Sequence, residues 1–289
     1  MAINEPLTHQ LRQQVRQLLD EKRVDCVIGY EQGRRRGARP AVIYEPAEAD
    51  RLIWGPECVH NLATYLHNKK KPRRRGEEPP RVGIVVKPCD SRTLNVLLAE
   101  RQIERARLFV VGVACEGVTD GTGQMAFKCT HCTDRVPVLY DVLIGDPPPV
   151  SPVPDDWSDL ERMTAMPPAG RIAFWLSQFD RCIRCYACRQ VCPGCYCPTC
   201  MFERDDGLWV DAGIEVSQKY VFHLGRALHL AGRCVECGEC ERVCPMGLPL
   251  MLLNRALVRE VETLFGHRAG REETLSPLLF ELGPEGSPI

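Results

Sequence analysis

The chain has 289 residues, enough for two domains, and its 37 Lys plus Arg balance 38 Asp plus Glu. That balance excludes a global field drawing it to nucleic acid or an anionic membrane, and no apolar run reaches the ~18 residues of a membrane span. Cysteine is the outlier at 17; with a polar amphipathic start in place of a secretory leader, a cytoplasmic metal-binding protein is expected rather than a disulfide scaffold.

In chain order, Leu7, Leu11, Val15, Leu18 and Leu19 recur at helical spacing and predict a helix over 7–22. Val24 to Tyr30 reads as a strand, and 57–67 as a second helix. Lys69 to Arg75 is a run of bases without aromatics, which reads as a solvated loop before it reads as a site for an acidic partner. Val82 to Val86 has a buried-strand pattern ending at Lys87-Pro88-Cys89-Asp90; a helix follows near 91–103, then a strand at Leu108 to Val113. Strand–helix–strand order predicts an α/β domain with a parallel or mixed sheet. Its cysteine-bearing turns then fall at the C-terminal strand ends, where open α/β sheets bind ligands.

The stretch 146–156 (DPPPVSPVPDD) cannot hold regular structure. The domains are therefore expected at 1–146 (α/β) and 168–265, separated by a Pro-rich linker at 147–167. Helical patterns at 171–179, 216–231 and 248–265 make the second domain a mainly α-helical dicluster ferredoxin-like module. A tail at 266–289 carries Leu275, Leu278, Leu279, Phe280 and Leu282, suited to docking on a partner or to packing back on its own domain.

Two runs carry the strongest signal. Cys182, Cys185, Cys188 and Cys192-Pro193 form one; Cys234, Cys237, Cys240 and Cys244-Pro245 form the other. Thiols at every third residue wrap three corners of a cubane, while the displaced fourth, followed by proline, ligates the other cluster. The expected [4Fe–4S] ligand sets are Cys182, Cys185, Cys188 and Cys244 for one cluster, and Cys234, Cys237, Cys240 and Cys192 for the other. Zinc sites more often use two separated pairs. Arg184, Arg189, Glu236 and Glu239 lie beside these cysteines and read first as surface charge, second as groups tuning the clusters.

Four more cysteines sit in the α/β half: Cys89, Cys115, and the chelating pair Cys129 and Cys132. Alone they suit either an iron–sulfur cluster or zinc. Their surroundings are Lys87-Pro88-Cys89, Gly112-Val-Ala-Cys115-Glu116-Gly117, Lys128-Cys-Thr-His-Cys-Thr-Asp134 and Asp141 to Gly145. Over roughly 80–146 this resembles the β-subunit family of coenzyme F420-reducing hydrogenases and the related formate dehydrogenase β subunits. The resemblance implies that Cys89, Cys115, Cys129 and Cys132 hold a third [4Fe–4S] cluster beside a flavin (FAD). Lys87, Arg92 and Lys128 would then contact that anionic cofactor or the cluster; as plain residues they read equally as salt-bridged charge. The chain departs from the family in having Val-Lys-Pro-Cys-Asp where Gly-Thr-Pro-Cys-Gln is frequent. It also has the cysteine runs where the family's long flavin- and deazaflavin-holding portion would stand.

Cys195, Cys197 and Cys200 follow the first run closely and, with Cys58 or Cys26 as a fourth ligand, would make a further metal site; otherwise they remain thiols, with Cys26 in the core. No Gly-x-Gly-x-x-Gly, P-loop or catalytic triad is present. The expected function is an electron-transfer subunit of an anaerobic multi-subunit oxidoreductase. It would relay electrons to or from a hydrogenase, formate dehydrogenase, heterodisulfide-reductase-like or flavoprotein partner. The alternative is a flavin-containing subunit reducing a deazaflavin- or nicotinamide-type hydride carrier.

Overall fold

The computed structural model describes residues 3–34, 37–69, 78–149, 157–204 and 213–280. The chain divides into two compact units: Met1–Asp155 with Gly270–Thr274, and Asp156–Ala269 with Leu275–Ile289. The basic run beyond Lys69, most of the proline-rich stretch and the last nine residues lie outside the described residues.

The first unit opens with α1 (Glu5–Asp20), capped by the Asn4 side chain, which accepts the Leu7 N–H at 3.1 Å. Its Leu11, Val15, Leu18 and Leu19 face is buried. Then come β1 (Cys26–Gln32), β2 (Ala38–Ile43), β3 (Val82–Val86), α2 (Pro88–Ala99), β4 (Leu108–Val113), the single turn α3 (Phe127–Thr130) and β5 (Val142–Ile144). The sheet order is β2-β1-β3-β4-β5. β1, β3, β4 and β5 run parallel and β2 pairs antiparallel with β1, so the sheet is mixed. All of β3 is buried, as a parallel strand covered on both faces requires.

Two local expectations are corrected. The segment 57–67 is not an α-helix; a 3-10 helix spans Leu62–Asn68, because Asn61 accepts the Ala63 N–H and fixes the start there. Pro88 sits in the first turn of α2, so that helix begins before residue 91. β2 tolerates Pro40 because it is the sheet's edge strand.

In the second unit the described elements are α4 (Ser158–Thr164), α5 (Pro168–Asp180), α6 (Ala187–Gln190), α7 (Val216–His229), α8 (Glu239–Arg242), α9 (Leu250–Phe265) and α10 (Pro277–Phe280). Its core gathers thiols and apolar side chains together: Cys182, Cys188 and Cys240 pack with Phe202, Phe222 and Met251. Among the described residues no helix is long and apolar enough to cross a membrane.

Candidate metal centres

Strand register brings the loops of Cys89 and Cys115 together. Val86 pairs with Gly112 at the ends of β3 and β4, and Cys89 and Cys115 each lie three residues beyond their strand's member of that pair. Cys129 sits on α3 and Cys132 directly after it. Each sulfur feels its neighbours: Cys89 feels Cys115, Cys115 feels Cys129, and Cys132 feels both Cys129 and Cys115. Backbone N–H groups of Gly117 and Val118 donate to Cys115 and Cys129 at 3.4 and 3.3 Å.

Lys87, Arg92 and Lys128, beside this group, turn to protein partners. Lys87, 1% exposed, pairs with Asp90 at 2.8 Å and donates to the His60 carbonyl at 2.7 Å and to the Tyr30 hydroxyl. Arg92 is buried and pairs with Asp134 at 3.2 Å, and Lys128 donates to the Val59 carbonyl at 2.6 Å. These side chains compensate charge inside the protein and brace the thiol loops; a flavin phosphate would have to displace Asp90 or Asp134 to use Lys87 or Arg92.

In the second unit the two cysteine runs are folded alike, residue by residue. Arg184 and Glu236 occupy equivalent places with φ of 52° and 59°, and Tyr186 and Gly238 with φ of 57° and 71°. Each left-handed pair flanks the middle cysteine, Cys185 or Cys237, and opens a short helix, α6 or α8, that carries Cys188 or Cys240. Left-handed backbone is costly for residues other than glycine. The side chains that adopt it are pinned. The Arg184 guanidinium donates to the Tyr186 hydroxyl at 2.8 Å and to the Phe202 carbonyl at 3.1 Å. Glu236 is held by Arg255 at 3.0 Å and Arg268 at 2.7 Å. The backbone N–H two residues on donates to the first cysteine in both runs: Arg184 to Cys182 at 3.3 Å, and Glu236 to Cys234.

Arg184, Arg189 and Glu239 are 5%, 7% and 1% exposed, so the reading of these side chains as surface charge is overturned. Arg189 pairs with Glu203 and Glu239 with Arg242. Sequence reasoning missed this because each charge is covered by a segment distant in the chain.

The fourth cysteine of each run lies near thiols of the other. One small pocket is lined by Cys182, Cys185, Cys188 and Cys244, along with Phe222 and His223. Cys234 feels Cys240 and Cys192, and Cys240 feels Cys192 in turn. Burial pushes Cys132 and Cys188 up to about 11 and Cys240 to about 12, and raises Cys89 and Cys234 as well. Iron would displace these protons on binding. Cys192 goes the other way. A hydrogen bond from Cys195 lowers it against the effect of burial, with the Arg226 charge adding to the lowering. A depressed thiol is a prepared thiolate ligand.

Cys195 thus engages Cys192, while Cys197 is exposed and its carbonyl accepts from Arg189. Cys200 packs at the edge of the thiol-containing core. Cys58 belongs to the other unit, where burial pushes its thiol up to about 12; Cys26 is buried in β1. Among the described residues no three or more His, Cys, Asp or Glu side chains close around one point as ligands of a single ion.

A 4Fe-4S dicluster domain family matches residues 178–248, which include both runs. The chain is similar to the F420-dependent formate dehydrogenase subunit beta of Methanocaldococcus jannaschii, 33% identical over 104 residues, covering 36% of this chain and 27% of that protein. It is also similar to the F420-dependent formate dehydrogenase 1 subunit beta of Methanococcus maripaludis, 36% identical over 105 residues, covering 36% of this chain and 26% of that one. The chain spans about a quarter of the length of these curated relatives. It is thus a protein with a 4Fe-4S dicluster domain whose homologues include beta subunits of F420-dependent formate dehydrogenases.

Proposed function

We propose that this chain is a cytoplasmic electron-transfer subunit of an anaerobic oxidoreductase complex, passing single electrons through [4Fe–4S] clusters to or from another redox subunit. A dicluster domain supplies one-electron chemistry; the chain's own residues supply ligands, spacing and field. In this reading Cys182, Cys185, Cys188 and Cys244 hold one cluster and Cys234, Cys237, Cys240 and Cys192 the other, within a mainly α-helical ferredoxin-like domain. Cys89, Cys115, Cys129 and Cys132 hold a third at the C-terminal edge of the sheet. Exchanged fourth ligands keep the two clusters of the pair close enough for an electron to hop between them.

The observation carrying this reading is the duplicated loop geometry, with the left-handed residues at equivalent places and the fourth cysteine of each run lying among the thiols of the other. The beta-subunit names of the relatives support a redox complex as the setting, with formate dehydrogenase the first partner to test. Iron and acid-labile sulfide counted on anaerobically purified protein give about eight iron atoms for two cubanes and about twelve for three. A colourless, iron-free protein with all its cysteines would end this reading.

A second reading, a flavin-bearing subunit reducing a deazaflavin, is favoured by the F420-dependent relatives alone. Release of a yellow fluorescent flavin on denaturing the pure chain would establish it.

A further inference from the structure

α7 carries a charge that the dicluster reading has not yet used. Arg226 is 5% exposed, and no acidic side chain among the described residues pairs with it. One terminal nitrogen donates to the Cys188 carbonyl at 3.0 Å. The guanidinium also lies close enough to the side chains of Cys192 and Cys195 for its charge to lower both thiols. Its Nε is buried with no hydrogen-bond partner. The charges that act on it are those of Cys192, Cys240, Cys195 and Cys188. Cys188 belongs to the first ligand set, and Cys192 and Cys240 to the second.

A guanidinium taken out of water without a counter-ion costs several kcal/mol. Neutral thiols do not offset that cost. Cubanes with four thiolate ligands do, because they are anionic in both oxidation states. An orphaned Nε and an unpaired buried cation are therefore what is expected of a protein whose missing negative charge is supplied by clusters.

Resting on the dicluster reading, we infer that Arg226 is a positioning residue, a fixed cation shared by the two clusters of the pair that raises the reduction potentials of both. Each cluster gains one electron on reduction, and no bond forms or breaks. The added negative charge is stabilised by a neighbouring cation in a low-dielectric interior, so the reduced form is favoured. Other buried polar side chains lie beside the first ligand set: His223, on the same helix, lines the pocket of Cys182, Cys185, Cys188 and Cys244, and Arg184, whose Nε is likewise without a partner, donates its backbone N–H to Cys182 at 3.3 Å. Lys219 is turned to the Asp180 carbonyl at 2.8 Å.

The test is an EPR-monitored redox titration, with dithionite as reductant, on the full chain and on Arg226→Gln and Arg226→Lys, each with its iron counted first. Arg226→Gln is expected to lower both paired potentials by at least a tenfold change in the one-electron reduction constant, ~59 mV. Arg226→Lys, which keeps the charge, should shift them much less, and any cluster in the α/β unit should not move. Unchanged potentials in a fully loaded Arg226→Gln protein, a shift confined to one cluster, or an equal shift in both variants overturns the inference. Should Arg226→Gln lose its iron, hyperfine spectroscopy with guanidinium-15N arginine decides, on wild-type protein and on Arg226→Lys. A nitrogen coupling present in both reduced-cluster signals of the wild type and lost from both in Arg226→Lys supports the shared cation, and its persistence in either signal of Arg226→Lys, or its absence from either in the wild type, overturns it. A wild-type chain without iron overturns the dicluster reading itself, a result distinct from all of these.

Discussion

At the residue scale the informative side chains are buried and charged or buried and thiol. Cys192 is the sharpest case, since it stands in one run and lies among the thiols of the other. Cys192→Ala is expected to remove the EPR signal of the cluster assigned to Cys234, Cys237 and Cys240 and to leave the first run's signal in place; loss of the first signal instead would show that ligation is not crossed. In the α/β unit, Lys87 and Asp90 form a fully buried pair. Removing one partner from such a pair strands the other charge, so Asp90→Ala should destabilise the unit by ~3–5 kcal/mol in chemical denaturation. The cysteine spacings were readable because cluster ligands recur locally in the chain. The burial of Arg184, Arg189, Arg226 and Glu239 was not, because what covers a charge is set by packing from elsewhere.

At the element scale, long periodic segments were legible and short ones were not. The leucine stripe of α1 and the uninterrupted apolar runs of β3 and β4 announced themselves. β5 has three residues, too few for a period to show, and β2 begins with Ala-Arg-Pro, which reads as a turn until the strand is known to be an edge. α7 was visible as a helix, but its closeness to Phe202 was not. A Cβ at Gly225 would run into the Phe202 ring. Gly225→Val should therefore cost ~1–3 kcal/mol by overpacking, read as a lower unfolding midpoint of the second unit.

At the scale of the whole molecule the two units are built on different principles. The α/β unit has a continuous aliphatic core along β1, β3 and β4, whereas the core of the other places Cys182, Cys188 and Cys240 among its aromatics. Where clusters occupy the centre of a core, metal binding and folding are one free energy. Stripping iron with chelator and oxidant should thus abolish hydrogen-exchange protection in α7 and α9 while β3 and β4 stay protected; equal loss in both units would refute that division. The first unit also includes Gly270–Thr274, far along the chain. Gly270 has φ of 74° and a Cβ there would strike the Arg92 carbonyl, while its own carbonyl accepts from Asn95 at 3.0 Å. Gly270→Val should destabilise the α/β unit, by ~1–3 kcal/mol from the backbone conformation alone, in thermal unfolding followed on that unit.

By itself the amino-acid sequence determined the two cysteine runs of a 4Fe-4S dicluster domain and an α/β half. The spacing of thiols, and of apolar residues in strands and helices, is a property of neighbours in the chain. Only the tertiary structure decided which thiols lie together, how Arg184 and Glu236 are held in left-handed backbone, and that Arg226 sits unpaired among cysteines of both runs. Those outcomes depend on desolvation and on partners that arrive from distant segments, and neither is written in local spacing.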